Sequence, residues 1–306
     1  MINVRKSQFY KCQQAGNDFL VGIRLSKEEA DLNIDMIPRL CDRNQGIGAD
    51  GIMFVFRPQS ENADFRQRLF NADGSEAELS GNGLCCLGKV LYDTDNTAKE
   101  TIIMETMVGP RTLRLQVCQE SHLVDSVRVE MPYPEFTAGK VPVSPDILPP
   151  HESAKIIGVD VDGFTIEGSA VNVGNPHFII FCDAPRDLMY RYGEALESHP
   201  AFPARINVQF ARILSETEIE LWPHERGVGP TLACGSGATA TVTSAVSRGL
   251  LPEGKEVEVR MPGGSVNLLY TPGESPIIRG FPQLVAGVES YMHVENPCTE
   301  EEANTD

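Results

Sequence analysis

Two stretches of this chain set a nucleophile directly before a glycine-rich triplet. Ser80 precedes Gly81-Asn82-Gly83, and Cys234 precedes Gly235-Ser236-Gly237. Each triplet leads into a run that reads as a helix, Leu84 to Leu91 in the first case and Ala238 to Arg248 in the second. A helix start offers unpaired backbone N–H groups and a partial positive charge, so a glycine-rich start can hold a carboxylate. The same field is expected to lower the pKa of a thiol placed there. Two such starts facing each other would grip one carboxylate and put one side chain on each face of the carbon beside it. That is a site for moving an α-proton, which needs a base, an opposing acid and fixed donors for the carbanion-like state. Cys234 meets half of this demand. Ser80 is a much weaker acid than a thiol, whose ordinary pKa is about 8.5, so it serves at best as a proton donor or hydrogen-bonding group. Serine is also among the best helix N-caps.

Further polar residues suit the ends of an amino acid. Arg226 can hold a carboxylate in a bidentate fork, and the adjacent Glu225 can take an ammonium. Asn17, Asn71, Asn82, Asn175 and Asn207 supply amides, and Gly81, Gly235 and Ser236 stand where the two helix starts would meet an anion. Cys85 and Cys86 fall inside the first helix and are expected to pack against a sheet, while His177, in an Asn-Pro-His turn, reads as structural.

The sequence resembles the diaminopimelate epimerase family over nearly its whole length. The resemblance is carried by Gly16-Asn-Asp-Phe19, Cys41-Asp-Arg43 with Gly46-Ile-Gly-Ala-Asp50, Asn71-Ala-Asp-Gly-Ser-Glu-Ala-Glu78, Gly174-Asn-Pro-His177, Ile206-Asn-Val208, Glu225-Arg-Gly-Val-Gly229 and Leu232-Ala-Cys-Gly235. It implies an isomerase in which two cysteines act as a base and acid pair without a cofactor. Serine stands at the first of those positions, Ser80, and Cys234 at the second. The far end of diaminopimelate would then fall to Asn71, Asn175, Asn207, Glu225 and Arg226, with Asn17 and Asn82 around the near end. Three accounts of Ser80 stay open: a replacement made for structural work, a native residue of an isomerase with altered chemistry, or a partner in an elimination that expels a β-hydroxyl. Cys12-Gln-Gln-Ala15, Cys85 and Pro230 also depart from the family pattern. A racemase of another amino acid, a β-hydroxy amino acid dehydratase and a ligand-binding homologue without turnover are the alternatives.

The 306 residues, 41% of them hydrophobic, allow two medium lobes with real cores. A net charge of −17 argues against nucleic acid and anionic membrane surfaces as partners. Without a secretory pattern or long apolar run, the expected location is cytoplasmic, and the eight cysteines, lacking framework spacing, read as free thiols with no metal site. A homodimer is compatible with the sequence, and nothing in it points to pyridoxal phosphate.

Strands are expected over residues 4 to 24 with a break at Gly16-Asn17-Asp18, and at Gly51 to Phe56, Thr101 to Thr106, Arg111 to Cys118 and Val124 to Met131. Residues 27 to 41 read as a helix. Pro132 to Pro150 reads as a crossing, followed by strands at Gly163 to Glu167, Ala170 to Val173 and Pro176 to Phe181 and a helix from Asp187 to Glu197. The second half thus repeats the first. The expected fold is α/β (α+β) with two pseudo-symmetric lobes, each a mostly antiparallel barrel-like sheet around a central helix and similar to diaminopimelate epimerases. The boundaries fall at 1–123 and 124–286, with strand 287–296 returning to the first lobe and 297–306 as a disordered tail.

Overall fold

The computed structural model describes residues 7–26 and 32–292. The chain opens with an antiparallel hairpin of β1 (Ser7–Gln14) and β2 (Asn17–Ile23), turned at Ala15 and Gly16, both at positive φ. Asn17 therefore starts β2 at the hairpin's mouth. Beside β2 lies β3 (Gly51–Phe56), parallel to it, and then β4 (Phe65–Asn71), antiparallel to β3 and to the short β5 (Glu76–Ala77). A parallel step to β6 (Thr101–Glu105) and antiparallel steps to β7 (Arg111–Val117) and β8 (Val124–Glu130) complete the run.

The second half repeats this order. β9 (Ile157–Val161) and β10 (Phe164–Asn172) form a hairpin, and β11 (Pro176–Phe181) is antiparallel to β10. β12 (Asn207–Ser215) lies parallel to β11, and β13 (Glu218–Glu225) is antiparallel to β12 and to β14 (Gly229–Pro230). β15 (Glu256–Met261) is parallel to β13, followed by antiparallel β16 (Gly264–Leu269) and β17 (Ile277–Gly280). The last strand, β18 (Gln283–Ser290), returns to β1 as β9 joins β10. The halves meet where β8 pairs with β17, so the expected boundary at 123/124 falls at the start of the seam strand. The registers match too: Phe19 and Val21 stand beside Gly51 and Met53, as His177 and Ile179 stand beside Asn207 and Gln209.

Of the helices, α1 (Ile37–Cys41) and α3 (Pro185–Glu197) lie against the strands, while α2 (Gly81–Asp93) and α4 (Gly235–Ser247) each run through a half with almost every residue buried. Leu84, Leu87, Val90 and Leu91 of α2 share a core with Ile102, Leu113 and Val127. Each such leucine contributes about 1.5–3 kcal/mol by leaving water. Burial on all sides forces α2's one cation to find partners: Lys89 donates to Val124 O and pairs with Asp93, both at 2.7 Å. In α4 the interior is filled by small residues. Thr239 and Thr241 satisfy their hydroxyls on the carbonyls of Gly235 and Gly237, one turn back.

Several sequence expectations are corrected. Of the helix expected over 27–41, residues 27–31 lie outside the described ones, Ile34–Met36 is a single 3₁₀ turn and α1 covers only Ile37–Cys41. Pro38 explains the late start, since its ring is tolerated only in a helix's first turn. The two strands expected at 163–167 and 170–173 are one strand, β10, and its partner β9 was not anticipated. Asp162-Gly163, both at positive φ, is the tight turn that makes this hairpin. The returning strand starts earlier than expected and covers Gln283–Ser290, while residues 293–296 of the expected segment and the tail beyond them lie outside the described residues. Cys85 and Cys86 do pack inward, Cys85 beneath Gly280, where an added Cβ would stand 2.7 Å from its sulfur. The seven described cysteines are free thiols, and no described helix is long and apolar enough to cross a membrane.

Candidate active site

A cleft of about 1100 Å³ lies between the halves, and Ser80 and Cys234 both line it. Both are N-caps of their central helices, in near-identical backbone conformations, φ/ψ −132°/118° and −136°/106°. Ser80 Oγ accepts from Gly83 N–H at 3.1 Å, and Cys234 Sγ accepts from Gly237 N–H at 3.3 Å. A cap lies extended so that its side chain folds back on the first turn of its own helix. The two starts touch: a Cβ built on Gly235 would lie 3.1 Å from Asn82 N and 3.1 Å from Asn82 Oδ1. A side chain at Gly235 would press on Asn82. Asn82 Oδ1 is buried without a hydrogen-bond partner at this junction, and its Nδ2 donates to Asn17 Oδ1 at 3.4 Å.

The thiol does not behave as its helix position alone suggests. Burial pushes the Cys234 pKa well above its ordinary value, the nearby Glu225 carboxylate pushes the same way, and the bonds from Ser236 and Gly237 N–H only partly oppose them. Desolvation outweighs the helix field, so Cys234 rests as a neutral thiol. Burial likewise raises the Glu225 pKa, against hydrogen bonds from Thr231 and Cys234 that lower it. Thr231 Oγ1 donates to Glu225 Oε1 at 2.6 Å and fixes the carboxyl beside the thiol. Ser236 Oγ lies 3.5 Å from Cys234 Sγ. A proton can therefore pass between Cys234 and Glu225. Ser80 has no such acid beside it in any described contact, and its hydroxyl hydrogen is left free by its accepting role.

The remaining expected residues converge on the same cleft. Asn17, Asn71, Asn175, Asn207, Glu225, Arg226, Gly235 and Ser236 all line it, whereas Gly81 and Asn82 stand behind it, buried where the helix starts meet. Asn71 Nδ2 donates to Ser75 Oγ at 2.9 Å, which leaves its carbonyl oxygen for a ligand. Asn207 is more committed: Nδ2 donates to Pro176 O at 2.8 Å and Oδ1 accepts from Arg226 N at 3.0 Å. Asn175 accepts at Oδ1 from His177 Nε2 at 2.8 Å. His177 is structural as expected, fully buried, with burial first and the Arg226 charge second lowering its pKa to about 3. It stays neutral and orients Asn175.

Three cleft residues were not singled out from the sequence. Glu78 reaches across from the first half to Arg226, Oε1 to Nη2 at 3.6 Å. Asp50 accepts from Asn17 Nδ2 at 2.9 Å, and Arg43 bridges Asp50 and Asp18 at 2.7 Å and 2.6 Å. Burial alone would raise the Asp18 pKa, but Arg43 and Lys11 outweigh it and bring it down to about 2. This ion cluster fixes the hairpin mouth that presents Asn17. All three residues fall within the blocks Cys41 to Asp50 and Asn71 to Glu78 quoted above, so the signal was present without a geometry to read it by.

The arrangement matches known proteins. The sequence pattern described as Diaminopimelate epimerase fits residues 9–136 and 169–278, including both helix starts up to α4 and beyond. The chain belongs to the diaminopimelate epimerase family. The diaminopimelate epimerase of Methanothermobacter thermautotrophicus is 40% identical over 266 residues, covering 85% of this chain and 89% of its own. That of Psychrobacter sp. is 37% identical over 277 residues, covering 89% and 90%. Among solved structures, a hydroxyproline epimerase from Agrobacterium vitis superposes with a TM-score of 0.66 at 18% identity, over 94% of this chain and 93% of that one. The expected fold of two similar halves around central helices is thus the fold observed.

Proposed function

We propose that the protein is a cofactor-independent amino-acid epimerase acting on diaminopimelate, interconverting the LL and meso forms through proton transfer at one α-carbon. The observation that carries this reading is the meeting of two glycine-led helix starts under one cleft, with Cys234 capping one and Ser80 the other. The near carboxylate would sit on the N–H groups around Gly81, Asn82, Gly235 and Ser236, which hold the negative charge that develops as the α-proton leaves. Glu225 takes the thiol proton, and the thiolate removes the α-proton from its face. Ser80, on the opposite face, can donate a proton but is a poor base. Donation from Ser80 would leave an alkoxide, so proton exchange at the Cys234 face outpaces net inversion in both directions. Arg226 would receive the far carboxylate in place of Glu78, and Asn71 and Asn175 would receive the far ammonium and carboxylate.

A second reading is favoured by one feature. Because Ser80 lines the cleft and accepts from Gly83 N–H, its own hydrogen remains available for donation, as an acid that helps a β-hydroxyl leave would need. Proton exchange in deuterated water, followed by NMR on LL- and meso-diaminopimelate, separates the two. We expect exchange that needs Cys234, slow net epimerisation in the chain as it stands, and fast epimerisation in Ser80→Cys. No exchange in either chain would remove diaminopimelate as substrate, and keto-acid formation from a β-hydroxy amino acid would establish the elimination.

A further inference from the structure

We propose that Glu197, which lies outside the cleft, is the positioning residue that holds Arg226 in its carboxylate-binding place and thereby sets the preference for a substrate with a second amino-acid end; this rests on the function proposed above. The turn Glu225-Arg226-Gly227-Val228 is closed by Val228 N–H on Glu225 O at 3.0 Å, with Gly227 at φ +79°. It has almost no packing of its own. A Cβ built on Gly227 or Gly229 would meet nothing within 4 Å, and Val228 is 67% exposed. Beyond the pairing of β13 with β14, a turn so little packed is located by its polar anchors.

Those anchors come from α3 and the segment after it. Glu197, the last residue of α3, is 4% exposed and accepts from Gly227 N–H at 2.7 Å, immediately after Arg226. The same oxygen accepts from Arg205 Nη2, and its second oxygen lies 3.4 Å from His224 Nδ1. His224 in turn packs against Gly193 of α3, where an added Cβ would stand 2.4 Å from the ring. A carboxylate buried this deeply needs donors, here Gly227 N–H and Arg205, and a charge-assisted bond to a backbone N–H is strong and directional. Arg226 itself is held by Asn207 Oδ1 and, through Nη1, by Ala204 O at 3.3 Å. Its pairing with the half-exposed Glu78 at 3.6 Å is too long and too wet to fix it. Without the Glu197 bond the Gly227 peptide loses its one buried charged anchor, and the guanidinium beside it is held less firmly.

The test is calorimetric binding of meso-diaminopimelate and of 2-aminoheptanoate, which has the same chain length but neither charged group at the far end. It uses the full chain and its Glu197→Leu and Glu197→Gln variants. The full chain is expected to prefer diaminopimelate strongly, and Glu197→Leu to lower that preference by about tenfold with 2-aminoheptanoate affinity unchanged. Glu197→Gln, which keeps a carbonyl acceptor, lowers it only a few-fold; if the leucine variant does not fold, the glutamine variant decides. A preference that survives in the variants, or equal weakening of both ligands, would overturn the role of Glu197. A full chain with no preference between the ligands would instead overturn the function on which it rests.

Discussion

The starts of α2 and α4 are built on one plan and differ in their chemistry. Each is an extended N-cap followed by glycine, a polar residue and glycine, and each cap accepts from the N–H three residues on. Behind the second glycine the halves diverge. A Cβ on Gly83 would press on Met53 Sδ at 2.9 Å, whereas one on Gly237 would press on Gln209 at 2.6 Å. Met53 and Gln209 occupy equivalent places in β3 and β12, and so do Phe19 and His177 in β2 and β11. The first half is apolar where the second is polar and titratable. Moreover, Cys234 has Glu225 at its side, while Ser80 has no carboxyl at its side in any described contact. The duplicated scaffold supplies two capped helix starts, and the residues placed on it give one a thiol beside a carboxyl and the other a hydroxyl.

The largest expected break in this comparison is Cys234→Ser, which would make both starts alike. Loss of the only thiol acid/base in the pair should lower α-proton exchange by about 10³-fold or more, read by NMR in deuterated water. The opposite change, Ser80→Cys, restores symmetry upward and should raise net epimerisation by about 10²-fold, read by loss of the LL-isomer. Gly235→Ala tests the contact between the starts. The methyl group would meet Asn82 N at 3.1 Å, so about 1–3 kcal/mol of stability and several-fold in substrate affinity should be lost, measured by urea unfolding and calorimetry.

The smallest effect per unit of change is in acid. His177 is neutral in the fold because burial lowers its pKa to about 3, whereas unfolded it titrates near 6.5. A depressed pKa means stability that is complete above about pH 6.5 and is lost as pH falls toward about 3. The slope is about 1.4 kcal/mol per pH unit from this one group. Phe19, its counterpart, adds no such term. His177→Gln should therefore flatten the dependence of the urea midpoint between pH 6 and 4, and an unchanged slope would place the acid sensitivity elsewhere.

Much of this was legible in the chain. The glycine-led starts showed where α2 and α4 begin, because a small cap and small first-turn residues are demanded by local backbone geometry alone. The repeat was visible because strands and helices recur in one order. Asp162-Gly163, in contrast, carries the turn signal of the β9–β10 hairpin, and the strands expected from the sequence leave β9 out. Glu78, Asp50 and Arg43 lay inside the quoted blocks, yet their roles depend on partners far along the chain or across the cleft.

By itself, then, the sequence determined the two capped helix starts, the duplication and the set of amides, glutamate and arginine offered to an amino acid, since all of these follow from local propensity and residue type. Tertiary structure alone decided that Asn82 and Gly235 touch, that Glu197 anchors the Arg226 turn, and that Cys234 rests as a thiol. These depend on distances between segments and on burial: desolvation and a neighbouring carboxyl set the state of Cys234, and neither is encoded in the residues beside it.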